Sequence, residues 1–135
     1  MIAEIALGVI IGLAQATEPT GTLTLACSGT TAGIKQADKP EPISMGIIID
    51  FAARTLDGFP DAHFPIWIDD ITETAISFSG SKSNRLGTLA TFYHLDGRID
   101  RITGAVYAEL FSMVGAGEGQ MLVYTLKCTP AQRKF

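Results

Sequence analysis

Apolar and polar side chains alternate along much of this chain with the two-residue period of β-strands. Leu23, Leu25 and Cys27 fall on one face of a strand, with Thr22, Thr24 and Ala26 on the other. Tyr124, Leu126 and Cys128 alternate in the same way with Val123, Thr125 and Lys127. Between these segments, Met45, Ile47, Ile49 and Phe51 alternate with Ser44, Gly46, Ile48 and Asp50. The β-branched run Ile47 to Ile49 argues against a helix there. Further strands are predicted over "HFPIWID" from His63, where Pro65 suggests an edge position, over "TETAISFSG" with Ile76 and Phe78 on one face, and over Leu86 to Leu95, Arg98 to Phe111 and Met121 to Cys128.

Turn chemistry separates these runs. Thr31 to Pro42 is polar, aperiodic and contains two prolines, so it reads as a loop. Asp57 to Asp61 and the polar stretch Ser79 to Asn84 read as turns, and Gly115 to Gln120 as a glycine-rich hairpin loop. Asp96-Gly97 is the clearest hairpin signal, and Gly104 marks a bulge or tight bend in the strand that follows. Seven or eight short strands without a helix describe an all-β fold: a single antiparallel β-sandwich or a small barrel.

The first residues stand apart. An apolar run from Ile5 to Leu13, then Ala14-Gln15-Ala16, then polar Thr17-Glu18-Pro19 has the outline of a cleavable secretory signal. It departs from that outline in having Glu4 and no Lys or Arg in its first four residues. An apolar core helix over residues 2 to 16 is the competing reading, disfavoured by Gly8, Gly12 and the β-branched residues. The run is shorter than the ~20 residues of a membrane-spanning helix. Residues 1–16 are therefore expected to be a signal peptide and residues 17–135 one β domain. A periplasmic or secreted location follows.

Composition agrees with a single packed domain: 135 residues, 47% hydrophobic and 18% charged. The formal net charge of −4, with no basic cluster on a predicted element, argues against nucleic acid as a partner.

Cys27 and Cys128 are the only cysteines. "TLAC" is a poor lipid-attachment box, because Thr24 stands where Leu is usual and polar residues interrupt the apolar run. Both cysteines face the interior of their strands, and outside the cytosol they are expected to form a disulfide, with two buried thiols as the alternative. Each sits at the C-terminal end of its predicted strand, so a bridge requires parallel neighbours, facing sheets or a connection through a strand end.

The run "GRIDRITG" from Gly97 to Gly104, with a final strand ending "LKCTPAQRKF", resembles a pattern of small exported bacterial β proteins: a Gly-x-Ile-x-Arg-x-Thr-Gly strand, then a closing Cys, basic residues and a terminal Phe. The resemblance spans about the last third of the chain. It implies export and a β fold, and brings no activity.

Candidate chemistry is sparse. Ser79-Gly80-Ser81-Lys82 matches a Ser-x-x-Lys outline, but it falls in a predicted turn without companion motifs. "GAGEG" from Gly115 carries no lysine and leads into no helix, so a phosphate cradle is not indicated. Neither His63 nor His94 has a ligand at a metal-site spacing. Asp61, His63 and Asp69, with Asp70 as an alternate carboxylate, are the one set from which a hydrolase could be built. Trp67 is expected in the core, as buried aromatics dominate β interiors; exposed beside Phe64 or Tyr93, it would suit recognition.

The sequence thus points to a β domain that acts by binding or as an envelope component, leaning away from catalysis. The weak contact set is Trp67, Phe64, His63 and Asp69, and no catalytic residue, metal site or cofactor is assigned. The expected partner is a protein or small molecule of the cell envelope. A barrel carrying an apolar ligand is the alternative, and it requires an internal cavity of ~300 Å³ or more.

Overall fold

The computed structural model describes residues 19–33, 39–115, 117 and 119–131. Residues 1–16, read above as a signal, lie outside the described residues. Eight strands follow in chain order: β1 (Thr22–Gly33), β2 (Glu41–Asp50), β3 (Thr55–Asp57), β4 (Ile66–Ile71), β5 (Ala75–Leu86), β6 (Leu89–Asp100), β7 (Ala105–Val114) and β8 (Gln120–Pro130). Each pairs antiparallel with the next, and β8 returns to β1, closing the sheet into an up-and-down barrel. Among the described residues there is no helix. Closure leaves no free edge, so Pro65 precedes β4 without marking an edge strand.

The period-2 pattern becomes an inside and an outside. Leu25, Ile47, Ile49, Leu56, Ile66, Ile68, Ile76, Phe78, Leu95, Ile99, Val106, Leu110, Tyr124 and Leu126 fill the interior. Ala26, Ser28, Thr30, Asp96, Arg98, Thr125 and Lys127 face solvent. Strands that cross a bilayer carry the reverse alternation, apolar outward and polar inward. No helix among the described residues is long and apolar enough to cross a membrane.

The cysteines meet inside the barrel, though not as their predicted strand positions required. β1 continues past Cys27 to Gly33, so Cys27 lies mid-strand, directly opposite Cys128 in the antiparallel β1–β8 ladder. The Cys128 N–H donates to the Gly104 carbonyl at 2.8 Å, on the side away from β1. The two cysteines therefore form a non-hydrogen-bonded pair, the ladder position at which opposing Cα atoms come closest. Their Cα atoms are 4.1 Å apart and the sulfurs are bonded. The requirement for parallel or facing strands is overturned, as is the alternative of two free thiols.

Three turn expectations are also corrected. Asp96-Gly97 lies within an unbroken β6, where Gly97 opposes Phe78 on β5 and Ala108 on β7. A Cβ on Gly97 would stand 2.5 Å from the Phe78 ring and 2.8 Å from the Ala108 Cβ, so the missing side chain makes room for the ring instead of a turn. Ser79 to Asn84 belongs to β5, whose exposed end pairs with β6 in a hairpin turning at Gly87-Thr88, with Gly87 at φ 63°. The predicted strand from Arg98 to Phe111 is two strands, with Gly104 in the turn between them. The three-residue β3 was not anticipated.

Candidate ligand site at the lower mouth of the barrel

The two ends of the barrel differ. The end carrying the β1–β2, β3–β4, β5–β6 and β7–β8 connections is termed upper; the other carries the β2–β3, β4–β5 and β6–β7 turns. At the upper end the β3–β4 connection folds inward. Phe59 is almost wholly buried and lies edge-on to Tyr124 with ring centroids 5.0 Å apart, and 5.6 Å from Phe78. The Tyr124 hydroxyl donates to Asp61 Oδ2 at 2.5 Å. Burial first, then this hydrogen bond and the negative charge of Asp61, hold the Tyr124 phenol well above its ordinary pKa. Three aromatic rings thus stopper the interior from above.

Among the described residues, no connection buries an aromatic ring at the lower end. There the interior opens into a cup of about 370 Å³. Its walls are Leu23 and Leu25 from β1, Ile49 and Phe51 at the end of β2, Ile76 from β5 and Ile99 from β6, and Cys128 of the disulfide also lines it. Pro19, Thr20, Thr22, Asp100, Arg101, Gly104 and Pro130 complete the lining. The apolar wall follows from the same alternation that builds the core. Leu25, Ile49, Ile76 and Ile99 are buried inward-facing core residues, and Leu23 and Phe51 are half-buried, so the core itself forms the floor of the cup.

The polar groups at the rim are fixed by the turns. Asp100 Oδ1 accepts the backbone N–H groups of Ile102 at 2.8 Å and Thr103 at 3.0 Å, and these bonds lower its pKa. Arg101 donates from Nη1 to the Thr72 carbonyl, joining the β6–β7 and β4–β5 turns. Its backbone N–H bonds the Thr74 carbonyl at 2.8 Å.

A second hollow, about 340 Å³, lies on the projecting ends of β5, β6 and β7, lined by Ser83, Asn84, Arg85, Ala90, Thr91, Phe92, Met113 and Gly115. Beside it, Phe92 faces Met113 and His94 faces Phe111 across the β6–β7 ladder. Phe92 stacks on His94 with centroids 6.4 Å apart and leans on Phe111 at 6.3 Å. This second lining is more polar than the lower cup's, and it lies on the outer surface.

No family model, curated protein or solved structure matches the chain.

None of the residues of the predicted contact set or hydrolase set lines the lower cup. Trp67 is 53% exposed on the outer face of β4, opposite Thr55 and Ser79, which overturns its expected core position. Its neighbours Ile66 and Ile68 take the inward positions instead. Phe64 is half-buried and packs against the core from the β3–β4 connection, where His63 is exposed. Asp69 is exposed at the irregularity between Ile68 and Asp70 in the β4–β5 pairing. Asp61 directs its carboxylate to Tyr124, and neither the His63 nor the Asp69 side chain makes a hydrogen bond or ion pair with another described residue. Among the described residues no group of three or more His, Cys, Asp or Glu side chains could hold a metal ion. Leu23, Leu25, Ile49, Ile76 and Ile99 carried a sequence signal only as inward-facing apolar positions.

Proposed function

We propose that this chain is an exported barrel that binds a small, largely apolar molecule in its lower mouth. One observation carries the reading. A barrel stoppered at one end by Phe59, Phe78 and Tyr124 keeps at its other end a cup of about 370 Å³ with apolar walls. That volume falls at the small end of the ~300–1,000 Å³ typical of ligand pockets. An eight-stranded barrel has an interior just wide enough either to fill with side chains or to hold one small ligand, and here the two outcomes are divided between its ends. Export is supported by the signal-like outline over residues 1–16, by the resemblance carried by residues 97–104, and by a disulfide of the kind that persists in oxidising compartments. A periplasmic or secreted location is part of the proposal.

A second reading has its own support. The surface formed by Phe92, His94, Phe111 and Met113 supplies exposed aromatic area of the sort that anchors a protein partner in the envelope.

Titration with the neutral naphthalene dye prodan separates the two. Saturable enhancement is expected, with affinity lowered at least about tenfold, or about 1.4 kcal/mol, by Leu23→Trp, which fills the cup from its half-buried rim. Phe92→Ala is expected to leave binding unchanged. The opposite pattern would move the site to the upper surface.

A further inference from the structure

We infer that the ligand of the lower mouth is an amphiphile with a short apolar tail and a carboxylate head that meets Arg101. This rests on the reading of the mouth as a ligand site and adds the class of ligand it takes. The walls leave only the rim for a polar head. Two ionised side chains stand there, and the turn geometry gives them different freedom. Asp100 holds the β6–β7 turn through two backbone N–H bonds to one carboxylate oxygen, so its charge is already partly compensated by the chain. Arg101 is exposed at the same turn, and its guanidinium is steadied by one bond to the Thr72 carbonyl. Of the five N–H donors of a guanidinium, that bond uses one.

A planar fork of donors fixed at one corner suits a carboxylate, which it can bind through two parallel hydrogen bonds. The hydroxyls of Thr20 and Thr22 on the same lining can donate to a head group seated there. The cup below is too small for a long hydrocarbon chain, so the tail is of medium length. The protein's net negative charge opposes an anion at long range, but that field is screened within ~8–10 Å in physiological salt. A contact with Arg101 acts inside that distance.

Isothermal titration with decanoate, decanol and decylamine compares three heads on one tail. Decanoate is expected to bind the disulfide-intact protein about tenfold more tightly than decanol, with decylamine weakest. Arg101→Gln is expected to bring decanoate down to the affinity of decanol while leaving decanol unchanged. That unchanged arm also shows that the variant keeps its cup, and Arg101→Lys is expected to retain part of the preference. Equal affinity for decanoate and decanol, or an Arg101→Gln variant that keeps the preference, would overturn the inference and leave the apolar site standing. Tightest binding of decylamine would overturn it in favour of Asp100 as the head-group partner. Failure of all three to bind would remove the underlying site as well.

Discussion

Reduction of the Cys27–Cys128 bridge probes the closing seam of the barrel, because the bond joins the first strand to the last across a sequence separation of 101. In the unfolded chain it ties together nearly the whole described sequence. The chain-entropy relation assigns a loop of that length ~4.7 kcal/mol of stabilisation at 25 °C. For a domain of about this size, each kcal/mol moves the melting temperature by roughly 3–5 °C, so the expected loss is ~14–24 °C. Guanidinium denaturation of oxidised protein against reduced, thiol-alkylated protein and the Cys27→Ala/Cys128→Ala double variant measures it. The double variant controls for the bulk of the alkyl group. Since both cysteines are buried, reductant is expected to act on the native protein only through transient opening, slowing as denaturant is withdrawn. A difference below ~1 kcal/mol between the bridged protein and the double variant would refute the reasoning, placing barrel closure in the β1–β8 ladder alone.

Three further outcomes follow from particular contacts. Gly97→Ala is expected to destabilise by ~1–3 kcal/mol in thermal unfolding, because the new Cβ meets a Phe78 ring already pinned by Phe59. Tyr124 titrates at higher pH in the folded than in the unfolded chain, so its contribution is intact below pH ~10 and is lost as pH rises toward the folded value, at up to ~1.4 kcal/mol per unit. Tyr124→Phe is expected to remove that part of the alkaline dependence, as read by denaturant melts across the range. Trp67, the single tryptophan, is expected to be quenched freely by acrylamide in the native protein; strong protection would contradict its outward position.

The all-β architecture was legible because most strands bury one face, which leaves a period of two in the sequence. Where that condition fails, the reading fails with it. The exposed end of β5 from Ser81 to Leu86 lies beyond the packed barrel, so its polar residues looked like a turn. The hairpin at Gly87-Thr88, between Leu86 and Leu89, carries a weaker local turn signal than Asp96-Gly97. That dipeptide has turn chemistry, yet its glycine serves a ring on the neighbouring strand. β3 is too short to show a period. The shared inward face of the cysteines was visible from local alternation, whereas their pairing across the β1–β8 ladder depended on how far β1 continued after Cys27.

The candidate site was legible only in part, and for a related reason. Leu23, Leu25, Ile49, Ile76 and Ile99 announce themselves as inward residues, but nothing local tells a wall facing a cavity from one facing another side chain. That distinction is set by Phe59, which arrives from the β3–β4 connection and fills the upper end only. The aromatic and ionisable residues that attract attention in the sequence, Trp67 and His63 among them, lie on the outside.

Methyl-resolved NMR during titration with decanol locates binding without assuming a head group. Shifts confined to Leu23, Leu25, Ile49, Ile76 and Ile99 are expected, with the methyl of Met113 unmoved. Shifts at Met113 with the lower methyls silent, or no saturable shift at all, would show that the lower mouth is not a ligand site.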